Sequence, residues 1–295
     1  MLTSLRIILA RIRQANTAAA AFYTKCLITL PSAGKARTHL RSRNLSPVTI
    51  RTFAIGYAPD CYYGDEANTS KKSSVTNKSS WGAGSLVEYM SEAGFSPDEI
   101  VEAGLAVRTK RQQLGPGGEN TEINNTPSEV ADGAKDEKQH DYSCLMDRFR
   151  SRLVIPIFDE NGQSVIALGG RYLESAIDDS DDKTSSFKPA KYLNSPDSLV
   201  FTKKNVLFNK AKAKQVLEVQ SGTGSSSTAD NTPSAKDAST FDVPPAVVIV
   251  EGYFDVIALS NVGVANVVAS MGTALPFEQL KAAAEMGNIP GGKLE

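Results

Sequence analysis

The stretch Val247–Asp255, VVIVEGYFD, indicates the fold class of this chain. Its first four residues are β-branched and apolar and predict a short buried strand, after which Gly252 allows a sharp turn into a helix. Two carboxylates, Glu251 and Asp255, lie four residues apart around that turn, which can bring both to the same side. Because ligands bind at the carboxyl ends of strands in parallel sheets, the stretch predicts an acidic site at a strand end.

These two carboxylates are candidate ligands for a magnesium ion. Proteins hold Mg²⁺ through one or two carboxylates, and substrate phosphates and water complete its coordination. The alternative interpretation is structural, with Glu251 at the surface and Asp255 complementing the dipole of the helix that begins there. The spacing alone leaves both interpretations open.

The chain that follows continues an α/β pattern. It predicts a helix over Tyr253–Asn261, a strand over Asn266–Ala269 and a helix over Pro276–Met286, with one helix face made of Phe277, Leu280 and Ala284. This βαβα order is typical of a parallel sheet with right-handed crossovers. We therefore expect residues 246–295 to form the start of a parallel-sheet domain.

Residues 16–220 predict a mixed subdomain. Helices are expected to begin after Ser46 and at the capping box Ser96-Pro97-Asp98-Glu99, where a serine precedes a proline at the first helical position. Two strand-like runs, Leu153–Phe158 and Ser164–Leu168, flank Asn161-Gly162, which is expected to supply the positive φ angles of a hairpin turn. The predicted fold class is therefore α/β, with an α+β subdomain followed by a parallel sheet.

Polar stretches interrupt this pattern. Residues 62–80 and 111–141 are rich in polar residues and glycine and predict disordered insertions, and 221–245 predicts a linker. The run Asp179-Ser180-Asp181 has the spacing of a paired aspartate but follows no apolar strand. We interpret it as a solvated charge run.

Charge is distributed unevenly along the chain. Residues 1–59 contain nine Lys or Arg and no acid, although the whole chain has a net charge of −1. A basic N-terminal part suits a polyanionic partner. Residues 1–15 form a basic leader that either resembles a transit peptide or begins an ordinary first helix, and a misplaced gene start is a further alternative.

Several classes of site are not supported. The three cysteines and two histidines form no CxxC or HxxxH pair, so we expect no zinc site and no disulfide framework. The absence of a GxxxxGK[ST] motif argues against a P-loop helicase. No apolar run is long enough for a membrane span, so no membrane partner is expected.

Four separated blocks carry a family resemblance. They are FYTKCL and HLRSRNLSPVTIRTFAIGYAPD within 16–60, DRFRSRLVIPIFDENGQSVIALGGR at 147–171, KYLNSPDSLVFTKKNVLF at 191–208, and VVIVEGYFDVIAL with NVVASMGTAL from 247 onward. In this order they resemble the catalytic core of a bacterial-type, DnaG-like DNA primase. The last block is similar to the opening of a Toprim domain.

The resemblance implies a function and a set of site residues. The function is synthesis of short RNA primers on single-stranded DNA by metal-dependent nucleotidyl transfer. Glu251 is implied as the metal-proximal or general acid/base carboxylate, with Asp255 in support and Mg²⁺ or Mn²⁺ as the cofactor. The residues implied to contact nucleic acid or nucleotide phosphates are Arg148, Arg152, Arg171, Lys191, Asn194, Lys203 and Lys204.

Two of these site-residue assignments stay open. The resemblance also implies binding partners for the chain. Lys203 and Lys204 are equal candidates, and Arg171 either reaches a phosphate or closes the hairpin by a salt bridge. The implied partners are a single-stranded DNA template, ribonucleoside triphosphates and, through regions outside this chain, a replicative helicase.

The chain departs from the family pattern at both ends. The family's zinc-ribbon domain does not precede residue 16, and the chain ends at Glu295, where the third Toprim strand and its Asp-x-Asp pair are expected. The alternative function is therefore a truncated, catalytically inactive protein that binds single-stranded nucleic acid. Another Toprim enzyme, such as a topoisomerase or nuclease, is disfavoured because it lacks the upstream blocks. The polar insertions and the acid-free N-terminus suggest a plastid or mitochondrial location in a eukaryote; otherwise the location is cytoplasmic.

Overall fold

The computed structural model describes residues 2–60, 85–109, 141–142, 144–173, 189–220, 246–272 and 274–287. Outside these ranges lie the predicted insertion 62–80, all but the last residue of the predicted insertion 111–141, the predicted linker 221–245 and the Asp179-Ser180-Asp181 run.

Helices and short strands alternate along the described residues. In chain order they are α1 Leu2–Thr29, α2 Gly34–Ser42, α3 Pro47–Thr52, β1 Gly56–Ala58, α4 Leu86–Glu92, α5 Pro97–Glu102, β2 Ala106–Arg108, β3 Leu145–Asp147, β4 Arg152–Phe158, β5 Val165–Tyr172, β6 Tyr192–Asn194, α6 Lys210–Gln220, β7 Val248–Val250, α7 Tyr253–Asn261, β8 Val267–Ala269 and α8 Phe277–Met286. None of these helices has the length and apolarity needed to span a membrane.

Helix α1 runs through residue 15 without a break. Its first turns carry exposed apolar side chains, since Leu5, Ile7 and Ile8 are each at least 45% exposed. Burial begins at Ile12, and the Arg11 guanidinium pairs with the Glu99 carboxylate at 2.7 Å. The predicted boundary at residue 15 therefore falls inside one helix, whose first three turns project beyond the core.

The predicted helix caps are confirmed. Ser46 Oγ accepts a hydrogen bond from the Thr49 backbone N–H at 3.0 Å, and α3 begins at Pro47. Ser96 and Glu99 form the reciprocal capping box at the start of α5. Gly104 follows that helix with a φ of 69°, in the left-handed region that favours glycine.

An antiparallel sheet with the order β1-β4-β5-β6 forms the centre of the subdomain. The predicted hairpin is confirmed as β4 and β5, which pair antiparallel with a register shift between Ile157 and Phe158. The predicted turn geometry is wrong in one detail. Gly162 has a positive φ of 71° but Asn161 does not, because the six-residue connection between β4 and β5 needs the left-handed conformation at one position only.

The predicted parallel pair is also confirmed. β7 and β8 pair in parallel, with Val248 opposite Val267, and α7 crosses between them. The predicted face of α8 is wrong, because Phe277 is 66% exposed and the buried positions are Gln279, Ala283 and Met286. The Gln279 amide donates to the carbonyl oxygens of Lys203 and Val206 at 3.0 and 2.9 Å, so a polar side chain occupies a core position that an apolar pattern does not reveal.

One apolar core joins the helical N-terminal part, the sheet and the parallel pair. Leu40 and Ile55 pack in the same cluster as Leu153 of β4, Ile257 of α7 and Val267 of β8. Burying a side chain of this size contributes about 1.5–3 kcal/mol. The acidic turn between β7 and α7 is therefore fixed to the subdomain that precedes it in sequence.

Two of the three cysteines lie in the described residues, and both are free thiols. Cys26 is buried on α1, and burial raises the pKa of its thiol to about 11. Cys144 is partly buried, and Cys61 lies outside the described residues.

Candidate functional site

Glu251 lies at the carboxyl end of β7, as predicted. Its side chain is exposed and makes no hydrogen bond or ion pair with the residues that the structure describes. Its backbone oxygen accepts from the Met271 N–H at 3.1 Å, which joins the ends of β7 and β8. An unpaired carboxylate at this edge is open to solvent and to a ligand.

Asp255 caps the helix that follows Glu251. Its Oδ2 atom accepts from the Gly252 backbone N–H at 3.1 Å. Gly252 has a φ of −121°, so the turn does not depend on left-handed backbone. A Cβ at Gly252 would lie 3.0 Å from Asp255 Oδ2, so glycine is needed here for close approach. The structural role weighed for Asp255 is thus observed, and its support of Glu251 stays a prediction.

The acidic residues do not form a ready-made multidentate metal site. Among the described residues, no group of three or more His, Cys, Asp or Glu side chains is placed to hold a metal ion. Glu251 alone offers an exposed carboxylate at the strand end. This fits Mg²⁺, which takes few protein ligands and fills its other positions with water and phosphate oxygens.

Tyr253 connects the acidic turn to the central sheet. Its hydroxyl donates to Asn194 Oδ1 at 2.7 Å, and its ring packs against Gly169 of β5. The side chain is 2% exposed, and burial raises the pKa of the phenol, which keeps it protonated as a donor. Sequence reasoning missed this residue, although an aromatic side chain between two carboxylates was a visible signal.

We expect Tyr253→Phe to lower the free energy of unfolding by about 1–2 kcal/mol, because it leaves the Asn194 amide oxygen without its donor. Chemical denaturation measures this difference. The matched control is Tyr89→Phe, which removes a hydroxyl that makes no hydrogen bond with the residues that the structure describes. Equal stabilities for Tyr253→Phe and the wild type would contradict the assigned hydrogen bond.

Arg148 and Asn194 lie in hydrogen-bond contact. The Arg148 guanidinium donates to the Asn194 backbone oxygen at 3.3 Å, and its Nε is buried without a hydrogen-bond partner. Burial lowers the pKa of Arg148. Tyr253, Asn194 and Arg148 therefore form one connected group beside the acidic turn.

Arg152 lies inside the protein. It is 6% exposed and donates to the backbone oxygen of Ala190 at 2.8 Å, and its guanidinium carbon lies 5.3 Å from the Tyr172 ring centre. Its observed role is to hold the segment that enters β6. Direct contact with a phosphate stays a prediction for Arg152.

Arg171 makes no salt bridge with the described residues, so the hairpin-closing alternative is wrong there. Its Nη1 donates to the Tyr192 hydroxyl at 2.7 Å. Its guanidinium carbon lies 5.6 Å from the Tyr192 ring centre and 5.4 Å from that of Phe254. Among the described residues, no carboxylate thus compensates the charge of Arg171 near the acidic turn.

The three lysines differ in position. Lys191 is exposed at the start of β6, and Lys204 is exposed. Lys203 lies against the loop after β8, because a Cβ at Gly272 would lie 3.3 Å from its Nζ. Since that loop adjoins the end of β7, the structure favours Lys203 over Lys204 as the lysine that faces the site.

A second cationic group was missed by the sequence interpretation. Arg43, near the end of α2, places its guanidinium carbon 4.8 Å from the Phe254 ring centre, and its Nε donates to His39 Nε2 at 3.0 Å. The His39 ring meets Phe254 edge-on at 6.1 Å between centres. Burial and the charges of Arg171 and Arg43 lower the pKa of His39.

We expect the pKa of His39, followed by NMR, to lie below the usual 6.5 and to rise in Arg171→Gln, which removes one repelling charge. Because the unfolded chain then binds the proton more tightly than the folded one, stability falls as the pH is lowered through this range. Arg41→Gln on the same helix is the control. A titration unchanged by Arg171→Gln would contradict the arrangement.

A cavity of about 240 Å³ lies apart from the predicted site residues. Phe53, Pro156, Phe208 and Lys212 contribute to its lining, and none of the predicted site residues does. It is therefore distinct from the acidic turn.

Comparisons with known proteins agree with this geometry. The model of the DNA primase catalytic core, N-terminal domain, matches residues 78–214, and a Toprim domain model matches 246–287. Most of the chain thus matches the two parts of a DnaG-like primase catalytic core. Relatives named DNA primase include those of Synechococcus elongatus, 30% identical over 92% of this chain, and Clostridium acetobutylicum, 28% identical over 85% of it.

The chain spans only 26% and 27% of the lengths of these two DNA primases. Among solved structures it is similar to the RNA polymerase domain of Mycobacterium tuberculosis primase DnaG, at 27% identity and a TM-score of 0.59, covering 94% of this chain and 62% of that one. The same domain in complex with a double-stranded DNA oligomer with a 6-nucleotide overhang gives a TM-score of 0.58 at 27% identity, covering 94% of this chain and 59% of that one.

The predicted site residues fall within the matched primase segments. The seven basic and amide residues lie in 78–214, and the two carboxylates lie in 246–287. The family match does not test their individual roles, which stay predictions.

Proposed function

We propose that this chain synthesises short RNA primers on single-stranded DNA, joining ribonucleoside triphosphates with Mg²⁺ or Mn²⁺. One observation carries the proposal. The Tyr253–Asn194 hydrogen bond holds the Glu251 turn against the basic residues of β5, β6 and the segment after them. A carboxylate at a strand end and cations on the facing sheet are the two charges that nucleotidyl transfer requires.

The protein groups have distinct parts in this reaction. Catalysis of phosphoryl transfer consists mainly of positioning and of neutralising charge. Lys191 and Lys203 supply exposed or site-facing ammonium groups for phosphates, and Arg171 supplies a guanidinium that pairs with no carboxylate among the described residues. Glu251 is the residue that would hold a divalent cation, which neutralises charge developing on the transferring phosphate.

The template is proposed from a relative. The Mycobacterium tuberculosis domain has been solved in complex with a double-stranded DNA oligomer with a 6-nucleotide overhang, and it shares 27% identity with this chain. This similarity supports the proposal that the basic residues of this chain bind a DNA backbone. Ribonucleoside triphosphates and a replicative helicase complete the proposed set of partners.

Primer synthesis by the purified chain tests the function. The protein is incubated with a single-stranded DNA template, labelled ribonucleoside triphosphates and Mg²⁺, and short RNA products are resolved on a denaturing gel. Products that depend on both template and metal support the proposal. A chain that binds the template in a salt-dependent way but makes no RNA is instead the binding protein considered as the alternative.

We also propose that the first turns of α1 direct the chain to a plastid or mitochondrion. They carry exposed Leu5, Ile7 and Ile8 beside basic residues and no acid, which suits an amphipathic targeting segment. Residues 1–60 fused to a fluorescent protein are expected to enter an organelle in plant or other eukaryotic cells. A diffuse cytosolic signal would contradict this location.

A further inference from the structure

The Phe254 ring brings together cationic groups from two distant parts of the chain. Arg43 comes from the end of α2 and Arg171 from β5, and their guanidinium carbons lie 4.8 and 5.4 Å from the ring centre. His39 contacts the same ring from α2. Phe254 itself is 4% exposed, so these groups cover it from the solvent side.

The charge of this group is not balanced by acids. Neither Arg43 nor Arg171 pairs with a carboxylate in the part of the chain that the structure describes. Each cation–π contact contributes only about 0.5–1 kcal/mol at an exposed position. Two guanidinium groups on one ring repel each other, and their field is felt by His39. An anion placed between them would relieve that repulsion.

Helix stabilisation is the simpler explanation for basic residues at the end of α2. His39 and Arg41 lie in its last turn, where cations complement the helix dipole. That effect does not account for Arg171, which approaches the same ring from a strand. Arg41 lies at the same helix end but makes no cation–π contact with Phe254 among the described residues. A substitution of Arg41 therefore distinguishes the two explanations.

We propose that Arg43, His39 and Arg171 form a phosphate-binding position over the Phe254 ring, next to the Glu251–Asp255 turn. The proposal rests on the proposed function and extends the nucleic-acid interface onto α2. The chemistry fits a phosphate group, carried either by the single-stranded template or by a nucleotide. Guanidinium groups bind phosphate oxygens through paired N–H donors, which an ammonium group does not provide.

Binding to a fluorescein-labelled oligothymidine, measured by anisotropy across a salt series and without nucleotides, tests the template source. We expect Arg43→Gln to weaken binding roughly fivefold at low salt and to reduce the slope of log K against log salt by about 0.7, the value for one lost contact on a single strand. Arg41→Gln removes the same charge from the same helix and is expected to change both quantities by less than half as much.

The second arm measures a fluorescent ATP analogue with Mg²⁺ under the same conditions. A loss confined to the analogue assigns the phosphate to the nucleotide, and a loss confined to the oligonucleotide assigns it to the template. Arg43→Lys keeps the positive charge but loses the paired N–H donors of the guanidinium. Compared with Arg43→Gln, it is therefore expected to restore the slope of log K against log salt but only part of the binding affinity. If Arg43→Gln and Arg41→Gln behave alike in both arms, the proposal is wrong. Because neither arm requires synthesis, a chain that makes no primer can still pass this test.

Discussion

Glu251→Gln is expected to reduce primer synthesis at least about 100-fold, because the amide keeps the size of the side chain but loses the charge that holds a divalent cation. The wild-type carboxylate is exposed and has no hydrogen bond or ion pair among the described residues. Its replacement should therefore change the free energy of unfolding by no more than about 0.5 kcal/mol. RNA product per unit time, measured at saturating Mg²⁺ and template, gives the effect.

The control for this variant is Glu278→Gln. Glu278 is an exposed acid in the first turn of α8, in the same part of the fold, and it belongs to no predicted site. Template binding should be retained in both variants. Synthesis by Glu251→Gln within a few-fold of wild type would show that another group holds the metal.

Gly169→Ala is expected to destabilise the protein by about 2–3 kcal/mol. A Cβ at this position would lie 2.6 to 2.8 Å from three atoms of the Tyr253 phenol, which real contacts essentially never show. The ring is 2% exposed and its hydroxyl is bound to Asn194, so it cannot move aside without losing packing and a hydrogen bond. Urea unfolding followed by circular dichroism measures the loss.

Gly34→Ala provides the matched comparison. No atom lies within 4 Å of a Cβ at Gly34, which is the first residue of α2. Because alanine loses less backbone freedom than glycine on entering a helix, this variant should be neutral or up to about 1 kcal/mol more stable. If both substitutions have the same effect, Tyr253 does not pack on β5 as described.

Local signals in the sequence predicted much of the fold. The capping boxes, the β4–β5 hairpin and the parallel β7–β8 pair each depend on residues close together in the chain, and all were found where expected. The buried face of α8 was missed because the Gln279 amide nitrogen donates to carbonyl groups more than 70 residues away. No periodicity carries that information.

The candidate site was predicted only in part, because some of its contacts join residues that are distant in the chain. Glu251 could be placed at a strand end from its own neighbourhood, whereas its link to the basic sheet depends on Tyr253 and Asn194, which are 59 residues apart. The group around Phe254 joins residues separated by more than 200 positions. The resemblance implied that Arg152 contacts nucleic acid, and its burial and its hydrogen bond to the Ala190 backbone carbonyl could not be read from the sequence.

The Tyr253–Asn194 contact has a mechanical consequence. Moving the acidic turn away from β6 would expose an almost fully buried phenol and leave both a hydroxyl and an amide oxygen without partners. We therefore expect the acidic turn and the basic residues near it to move as one unit rather than to open and close. In the reaction proposed above, substrates would then enter along the exposed side of the turn.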